Sequence, residues 1–289
     1  MKLKSFMLLL FIIPFLCTAQ DNVKYVGSSK QSIIVEYFNA GYGVNQRNFH
    51  FVDYLHDKVV NALRYTDRVN VGEVNDIMEL RAYSPNNNNP VEYMRNRYDI
   101  MNKQGYYYSL ECDVSRIDAR WEESSKKWVG VTSYTIKLID TRTGNTAYSL
   151  KYNEKDSEYR NEVPEKAITY SLDYVGSRIR TFIFDNFRIQ GQILQVISLK
   201  KEDEVKEVAI NVGPENTAQK GTKFEVYIIS KFAGQETTKK IGEIKIEEVK
   251  GAQLSLAKVT KGGKEIKIAA DNGETMMILS DKSGFWDSF

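Results

Sequence analysis

The side chains that most often perform catalysis or bind metal ions are few in this sequence and poorly spaced for either task. Its two histidines, His50 and His56, lie six residues apart in a stretch with helical periodicity, so they fall on different faces of the helix. A metal-binding pair on a helix is usually three or four residues apart. No other histidine is available for a Ser-His-Asp triad or a histidine-rich metal site. We therefore predict that neither residue binds a metal ion or takes part in catalysis.

The remaining candidates for nucleophilic or acid–base chemistry are one cysteine and two acidic pairs. Cys112 occupies the apolar face of an alternating run, where a buried, unreactive thiol is expected. The pairs Asp113 with Asp118 and Glu122 with Glu123 have the residue types for acid–base catalysis. In strands and turns, however, such carboxylates are more simply solvated charges. The sequence thus predicts a protein that is not an enzyme, with no catalytic residue, no cofactor and no metal ion.

Three further patterns resemble parts of ligand-binding motifs. Gly41-Tyr42-Gly43 separates a strand from a helix, the usual place of a phosphate-binding turn, but it lacks the third glycine and the lysine of such motifs. Tyr106-Tyr107-Tyr108 could stack on a ligand, yet alternation along a strand sends neighbouring side chains to opposite faces. The lysine-rich stretch over residues 239–267 is offset by interleaved glutamates. All three patterns therefore predict ordinary structural positions.

The aromatic cluster at residues 284–289, Gly-Phe-Trp-Asp-Ser-Phe, is harder to explain as ordinary structure. Phe285, Trp286 and Phe289 are candidate partner-docking residues, because large aromatic side chains dominate the binding energy of protein interfaces. The alternative is that these rings dock on the protein's own C-terminal domain. The sequence leaves both hypotheses open.

Composition places the chain among ordinary globular proteins. Of its 289 residues, 42% are apolar and 27% are charged, and the length allows about two domains with a substantial core. The 40 basic and 38 acidic residues nearly balance, so the chain lacks the cationic excess that nucleic-acid binding requires. We expect no nucleic acid among its partners.

Residues 1–19, MKLKSFMLLLFIIPFLCTA, have the order of a signal peptide: two lysines, an apolar run and then small residues. We expect cleavage before Gln20 and export to the periplasm, with association with the outer membrane as a further expectation. Lipidation of Cys17 is the rival hypothesis, although Leu16 stands where a lipobox has a small residue. No later apolar run reaches membrane-spanning length, so we expect membrane contact only through a partner or through a lipid on Cys17.

Between residues 20 and 188 the hydrophobic pattern alternates between strands and helices. Strands are predicted by β-branched or alternating runs, and helices by apolar residues spaced three and four apart. The predicted order is a strand (31–38), a helix (49–64), a strand (67–74), two helices (76–82 and 92–103), three strands (106–121, 128–140 and 146–152) and a long helix from Pro164 to about Phe187. The three consecutive strands, joined by short turns, predict an antiparallel meander.

After Arg188 the pattern changes to short strands separated by glycines. The predicted strands are 190–199, 204–212, 223–230, 239–249, 253–259 and 275–279. Regular short strands of this kind predict a small all-β barrel domain over residues 189–289, following an α/β domain over residues 20–188. The expected fold class is therefore α+β.

One sequence segment supports a resemblance to a known family. Ile136-Lys137-Leu138-Ile139-Asp140-Thr141-Arg142-Thr143-Gly144-Asn145 forms a strand followed by Asp-Thr-x-Thr-Gly, residue types that suit a turn. With the order of elements, it is similar to the CsgG-like superfamily, which includes the TolB N-terminal-like domains and the lipoprotein activators of penicillin-binding proteins. This resemblance implies a CsgG-like mixed α/β sandwich over about residues 31–187. The second domain resembles the small β-barrel of a flagellar accessory protein of that superfamily, on Gly191-Gln192-Ile193, Ile210–Gly213 and Lys220–Val226.

The resemblance implies an exported accessory or assembly protein that joins an envelope protein complex through protein–protein contacts and can form oligomers. It also implies an alternative, a subunit of an oligomeric outer-membrane secretion channel whose hairpins cross the membrane. The best candidate hairpin, Arg116–Thr132, carries seven charged side chains, too many for a lipid-facing ribbon. We therefore expect the accessory protein and keep the channel subunit as the alternative.

Overall fold

A computed structural model of the chain describes residues 30–82, 89–153, 159–232 and 235–282. Within these residues the chain forms six α-helices and thirteen strands, which confirms the α+β class. The helices are α1 (His50–Thr66), α2 (Met78–Ala82), α3 (Pro90–Lys103), α4 (Pro164–Asp173), α5 (Val175–Asn186) and α6 (Gly263–Asp271). None of these described helices has both the length and the apolar sequence needed to cross a bilayer. The strands are β1 (Gln31–Val35), β2 (Asn39–Ala40), β3 (Val69–Glu73), β4 (Tyr108–Glu122), β5 (Lys127–Asp140), β6 (Thr146–Asn153), β7 (Arg160–Asn161), β8 (Gln190–Lys201), β9 (Glu204–Ile210), β10 (Lys223–Phe232), β11 (Gln235–Gly251), β12 (Leu254–Lys261) and β13 (Met276–Ser280).

The first seven strands form one mixed sheet in the order β3-β1-β4-β5-β6, with the two-residue strands β2 and β7 attached to β4 and β5. β1 runs parallel to both of its neighbours, whereas β4, β5 and β6 form the predicted antiparallel meander. Side chains along β1 alternate between two cores. Ile33 belongs to a core shared with α1, α4 and α5, and Ile34 belongs to a smaller core with Leu80 and Met101. The sheet therefore lies between two layers of helices.

The helix predicted from Pro164 to Phe187 is divided at Tyr174 into α4 and α5. Tyr174 keeps near-helical dihedral angles, with φ −73° and ψ −19°, so the regular helix is interrupted for one residue only. Ser177 Oγ donates to the Tyr174 carbonyl oxygen at 2.8 Å, and such bonds to the preceding turn bend helices. The prediction was right about the helical residues and wrong about their continuity.

The remaining six strands close into a barrel in the order β10-β11-β12-β9-β8-β13. All its strand pairs are antiparallel, and β13 closes the barrel by pairing with both β8 and β10. Val208, Phe224 and Ile244 are buried at its centre. This core is separate from the two cores of the mixed sheet.

The prediction of an all-β second domain is wrong in one respect, because α6 lies between β12 and β13. Gly262 precedes α6 with a φ of +75°, so the glycine does mark a turn, but a helix follows it. Ile266 and Ala269 are three residues apart and join the barrel core. The helical signal of this stretch is weak, because only two of its four apolar residues, Ile266 and Ala269, lie on the buried face.

Candidate functional site

The structure separates the two histidines, as predicted. His50 is exposed at the start of α1, whereas His56 is half-buried and packs edge-on against Phe38, with 5.0 Å between the ring centroids. Within the described ranges no group of three or more histidine, cysteine, aspartate or glutamate side chains could hold a metal ion. Packing alone accounts for the position of His56.

Cys112 is fully buried in β4, which confirms the expected position. Burial raises the pKa of its thiol well above the usual range, since the thiolate loses its solvation. The thiolate is the nucleophilic form of cysteine, so this side chain is not activated for chemistry.

The acidic residues singled out from the sequence each have their own partner. Their partners are Lys137 for Asp113 (3.0 Å), Arg116 for Asp118 (3.7 Å), Arg160 for Glu122 (2.6 Å) and the Trp121 indole N–H for Glu123 (2.9 Å). The hydrogen bond from Arg160 lowers the pKa of Glu122. A general acid at neutral pH needs a raised pKa, so Glu122 does not fit that role.

Backbone packing explains the glycines of Gly41-Tyr42-Gly43. A Cβ on Gly43 would lie 2.3 Å from the Ser115 carbonyl oxygen, and the Gly41 N–H donates to the Val114 carbonyl oxygen at 2.8 Å. Tyr42 between them is fully exposed. The loop is thus pressed against β4, and its glycines permit that close approach.

The three consecutive tyrosines do point to different environments. Tyr107 is exposed, whereas the ring of Tyr108 packs edge-on against Phe187 with 5.4 Å between centroids. The ring of Tyr106 packs against Gly72, where an added Cβ would lie only 2.2 Å from the Tyr106 hydroxyl oxygen. They do not form one stacking platform.

The Asp140–Gly144 segment is a tight turn between β5 and β6. The Arg142 N–H donates to Asp140 Oδ1 at 2.9 Å, and the two side chains form an ion pair at 2.5 Å. Thr141 Oγ1 donates to the Tyr106 carbonyl oxygen at 2.8 Å, and Gly144 takes a positive φ of +71°. Each residue type therefore has a role within the turn itself.

Acidic neighbours offset the lysines of the barrel, as the sequence predicted. The ion pairs are Lys240–Glu225, Lys240–Glu243, Lys261–Glu243, Lys250–Glu248, Lys258–Glu247, Lys264–Asp203 and Lys267–Asp271. The candidate docking residues Phe285, Trp286 and Phe289 lie outside the described residues, as do residues 1–19. Their roles stay predictions.

A cleft with a volume of about 510 Å³ opens between the sheet and the barrel. One wall comes from the end of α1 and from α5, and the other comes from the start of β10, the loop before it and the end of β13. The side chains that characterise the cleft are Arg68, Phe184, Thr217, Lys223, Ser280 and Lys282. A volume of this size is in the range of small-molecule and peptide sites.

The C-terminal end of α1 places Arg68 in this cleft. Thr66 Oγ1 donates to the Leu63 carbonyl oxygen at 2.7 Å and accepts from the Arg68 N–H at 3.3 Å. Asp67 takes the left-handed conformation, with φ 51°. Its carboxylate accepts a hydrogen bond from Lys30 Nζ at 2.5 Å. The chain therefore turns sharply between α1 and β3 with Arg68 at the corner.

Arg68 is a half-buried cation without a carboxylate partner among the described residues. Its Nη1 donates to Ser280 Oγ at 3.2 Å, and its guanidinium carbon lies 4.9 Å from the centre of the Phe184 ring. Burial lowers its pKa to about 10, which leaves it charged at neutral pH. A partly desolvated cation that lacks a counter-charge favours an anionic ligand.

Two further observations give the cleft ligand-binding chemistry. Thr217 Oγ1 is buried and has no hydrogen-bond partner within the described part of the chain. Lys223 and Lys282 are exposed and line the cleft together with two carboxylates, Asp67 and Asp281. Since Lys30 already neutralises Asp67, the positive charges outweigh the negative ones.

Ser280 connects the two units. Its Oγ accepts from the Ile189 N–H at 2.9 Å as well as from Arg68, and its carbonyl oxygen accepts from Arg188 Nε at 2.5 Å. Arg188 also forms an ion pair with Glu225 of β10. The segment between α5 and β8 is thus fixed to the end of β13.

The outer edge of β8 is a second candidate site. β13 pairs with Gln190–Gln192 only, and β9 pairs with the opposite edge as far as Lys201. Beyond Gln192, no strand of the described residues pairs with the outer edge. Three apolar side chains are exposed on this part of β8: Leu194 (56%), Ile197 (44%) and Leu199 (44%).

Sequence reasoning missed the functional meaning of both sites. Apolar residues at both even and odd positions of β8 were a usable signal, because a strand with one solvated face needs them at alternate positions only. Arg68 and Ser280 are 212 positions apart in the chain. No local pattern could have brought them together.

No family model matches the sequence, and no curated protein matches it either. Similar solved structures include the PelC dodecamer from Paraburkholderia phytofirmans, with 13% identity over 54% of this chain and 90% of that chain and a TM-score of 0.32. Lipoprotein GNA1162 from Neisseria meningitidis has 14% identity over 52% of this chain and 97% of that chain, with a TM-score of 0.33. The LpoB C-terminal domain from Escherichia coli has 14% identity over 45% of this chain and 86% of that chain, with a TM-score of 0.31. The CsgG-like resemblance therefore stays a prediction.

Proposed function

We propose that the chain is an exported, non-enzymatic accessory protein of the cell envelope that binds a partner protein along the outer edge of β8. Export is inferred from the lysine, apolar and small-residue pattern of residues 1–19. The observation that carries the proposal is the unpaired edge of β8 with Leu194, Ile197 and Leu199 exposed on it.

A free edge of this kind is unusual in a protein that acts alone. Its backbone N–H and C=O groups are available to another strand, although the register shifts along its pairing with β9 are irregularities of the kind that natural proteins use to protect edges. Exposed apolar side chains at the same place favour pairing further. In β-strand addition, the backbone groups of such an edge provide hydrogen bonds for affinity, and the side chains beside them provide contacts for specificity.

We assign the edge to an extended segment of a different protein, and the test below distinguishes this occupant from a second copy of this chain. Antiparallel pairing of two β8 strands centred on Ile197 would place Lys200 opposite Leu194 and Lys201 opposite Ile193. That register sets charged side chains against apolar ones at both ends. A register centred on Val196 would avoid this mismatch, so the crosslinking test below decides between the two occupants.

The test uses a photo-crosslinking amino acid at position 194 of the full chain in intact cells, with the same group at position 254 as the control. Leu254 is an exposed leucine of the same barrel, with 40% of its surface accessible. We expect one discrete adduct from position 194 and not from position 254. The crosslinked protein, purified separately, should bind the purified chain and should bind the Leu194→Glu variant about tenfold more weakly.

Three results would overturn the proposal. An adduct between two copies of this chain would assign the edge to self-association. Equal binding by the Leu194→Glu and Leu254→Glu variants would remove β8 from the interface. Recovery of the chain from the cytoplasm with residues 1–19 attached would remove the envelope role.

A further inference from the structure

The cleft between the sheet and the barrel has the chemistry of a site for a carboxylate carried beside an aromatic ring. Arg68 supplies a cation, the Phe184 ring supplies an apolar face behind it, and Thr217 Oγ1 supplies a buried hydroxyl without a partner among the described residues. These three groups come from three different elements of the chain. None of them takes part in the proposed contact at β8.

We propose that this cleft binds residues 285–287 of the same chain, Phe-Trp-Asp, with the Asp287 carboxylate paired to Arg68 and an aromatic ring against Phe184. The segment carries a carboxylate that can pair with Arg68 and aromatic rings that can pack against Phe184. A guanidinium and a carboxylate form paired, charge-assisted hydrogen bonds, which are strong when partly shielded from water. Aromatic rings in contact add to the burial of apolar surface.

The position of the segment along the chain supports this occupant over a free ligand. Ser280, Asp281 and Lys282 line the cleft themselves, so the chain leaves the described structure at its mouth. Two residues, Ser283 and Gly284, separate Lys282 from Phe285. An extended chain covers about 3.5 Å per residue, so Asp287 is within reach of Arg68.

Covalent attachment makes a weak contact effective. A short linker holds a binding group at an effective concentration on the order of millimolar, so even a contact of modest affinity is occupied. A free aromatic acid would have to reach such a concentration in solution. The charges agree with this assignment, because Lys223 and Lys282 add positive potential around Arg68.

The test measures binding of a free peptide, Ser-Gly-Phe-Trp-Asp-Ser-Phe, to full-length chains by isothermal titration calorimetry. One chain is the natural sequence, and the other carries Phe285→Ala, Trp286→Ala and Asp287→Ala, which leaves the cleft open. We expect the peptide to bind the triple variant and to show no measurable binding to the natural chain, whose cleft is occupied. Adding Arg68→Gln to the triple variant should weaken binding about tenfold, whereas adding Arg142→Gln at an exposed turn should not.

A second arm leaves the protein unchanged, in case Arg68→Gln prevents folding. A peptide with asparagine in place of aspartate should bind the triple variant about tenfold more weakly than the original peptide. Absence of binding to the triple variant would overturn the proposal, as would equal binding of the aspartate and asparagine peptides. Equal binding of the peptide to the natural chain and the triple variant would show an open cleft in the natural protein. That result would assign the site to an external peptide and overturn the intramolecular contact.

Discussion

Arg97 Nη2 donates to both carboxylate oxygens of Glu36, at 2.7 and 2.6 Å, and both side chains are buried. Glu36 follows β1, and Arg97 lies on α3, so the pair joins the sheet to the helices on its second face. If one member of a buried ion pair is removed, the charge of the other member stays buried without a partner, which destabilises the folded state. This relationship makes the pair a sensitive point of the fold.

Arg97→Met should lower the free energy of unfolding by about 3 kcal/mol, because the Glu36 carboxylate then stays buried without its partner. The double variant Glu36→Leu, Arg97→Met should be more stable than Arg97→Met alone, since no charge is left behind. Urea unfolding followed by circular dichroism measures both values. Arg95→Met, at an exposed position of the same helix, is the control and should stay within about 0.5 kcal/mol of the natural chain. A double variant less stable than the single one would contradict this account of the pair.

Gly43→Ala should destabilise the chain by about 2 kcal/mol or more, because the new methyl group would overlap the Ser115 carbonyl oxygen. Gly251→Ala is the matched control, since its added Cβ would meet only Leu254 Cβ at an ordinary 3.9 Å. Thermal unfolding of the two variants should therefore differ clearly. Equal melting temperatures would mean that the loop before α1 moves away from β4 at little cost.

The Cys112 thiol should not react with a thiol-specific reagent at pH 8 while the protein is folded. Burial raises its pKa, so little thiolate forms, and the side chain has no exposed surface. Full reaction should follow unfolding in denaturant. A Cys112→Ala chain with Ser115→Cys, at an exposed position of the same strand, should react in the folded state. Rapid labelling of the folded natural chain would contradict the packing of β4.

Glu225 should make the barrel sensitive to acid. Burial alone would raise its pKa, but hydrogen bonds from Lys240 and Arg188 outweigh this and hold the pKa at about 2. A carboxyl group whose pKa is lower in the folded than in the unfolded chain stabilises the fold above its unfolded pKa, and this contribution is lost as the pH falls through the folded pKa. We expect a loss of about 1–2 kcal/mol between pH ~4.5 and pH ~2.

The Glu225→Gln variant should be less stable than the natural chain at pH 7 and should lose less stability on acidification. Chemical unfolding at several pH values measures both effects. Glu202→Gln in the exposed turn between β8 and β9 provides the control and should keep the acid sensitivity. Parallel pH profiles for the natural chain and Glu225→Gln would rule out Glu225 as the source.

The elements with dense local patterns were predictable from the sequence. α1 was expected from apolar residues three and four apart, and Leu55, Val59 and Leu63 are indeed buried in the sheet core. The meander was expected from alternating runs and turn residues. α6 was missed because only Ile266 and Ala269 mark its buried face.

The candidate sites depend on contacts that no local pattern encodes. Arg68 follows a helix, and Ser280 ends the last strand of the barrel, so only the closed tertiary structure brings them to 3.2 Å. The free edge of β8 depends on where β13 stops pairing, which is a property of barrel closure. Residue types identified which side chains could act, and long-range topology determined which of them meet.

The bonds around Ser280 also bear on the mechanics of the molecule. A rotation of the barrel relative to the sheet about residues 187–189 would break the bond from Arg68 Nη1 to Ser280 Oγ, because these two residues lie on opposite sides of the connection. A hinge, by contrast, consists of residues whose dihedral angles change without losing buried contacts. The Arg68–Ser280 bond therefore opposes free rotation of the barrel against the sheet.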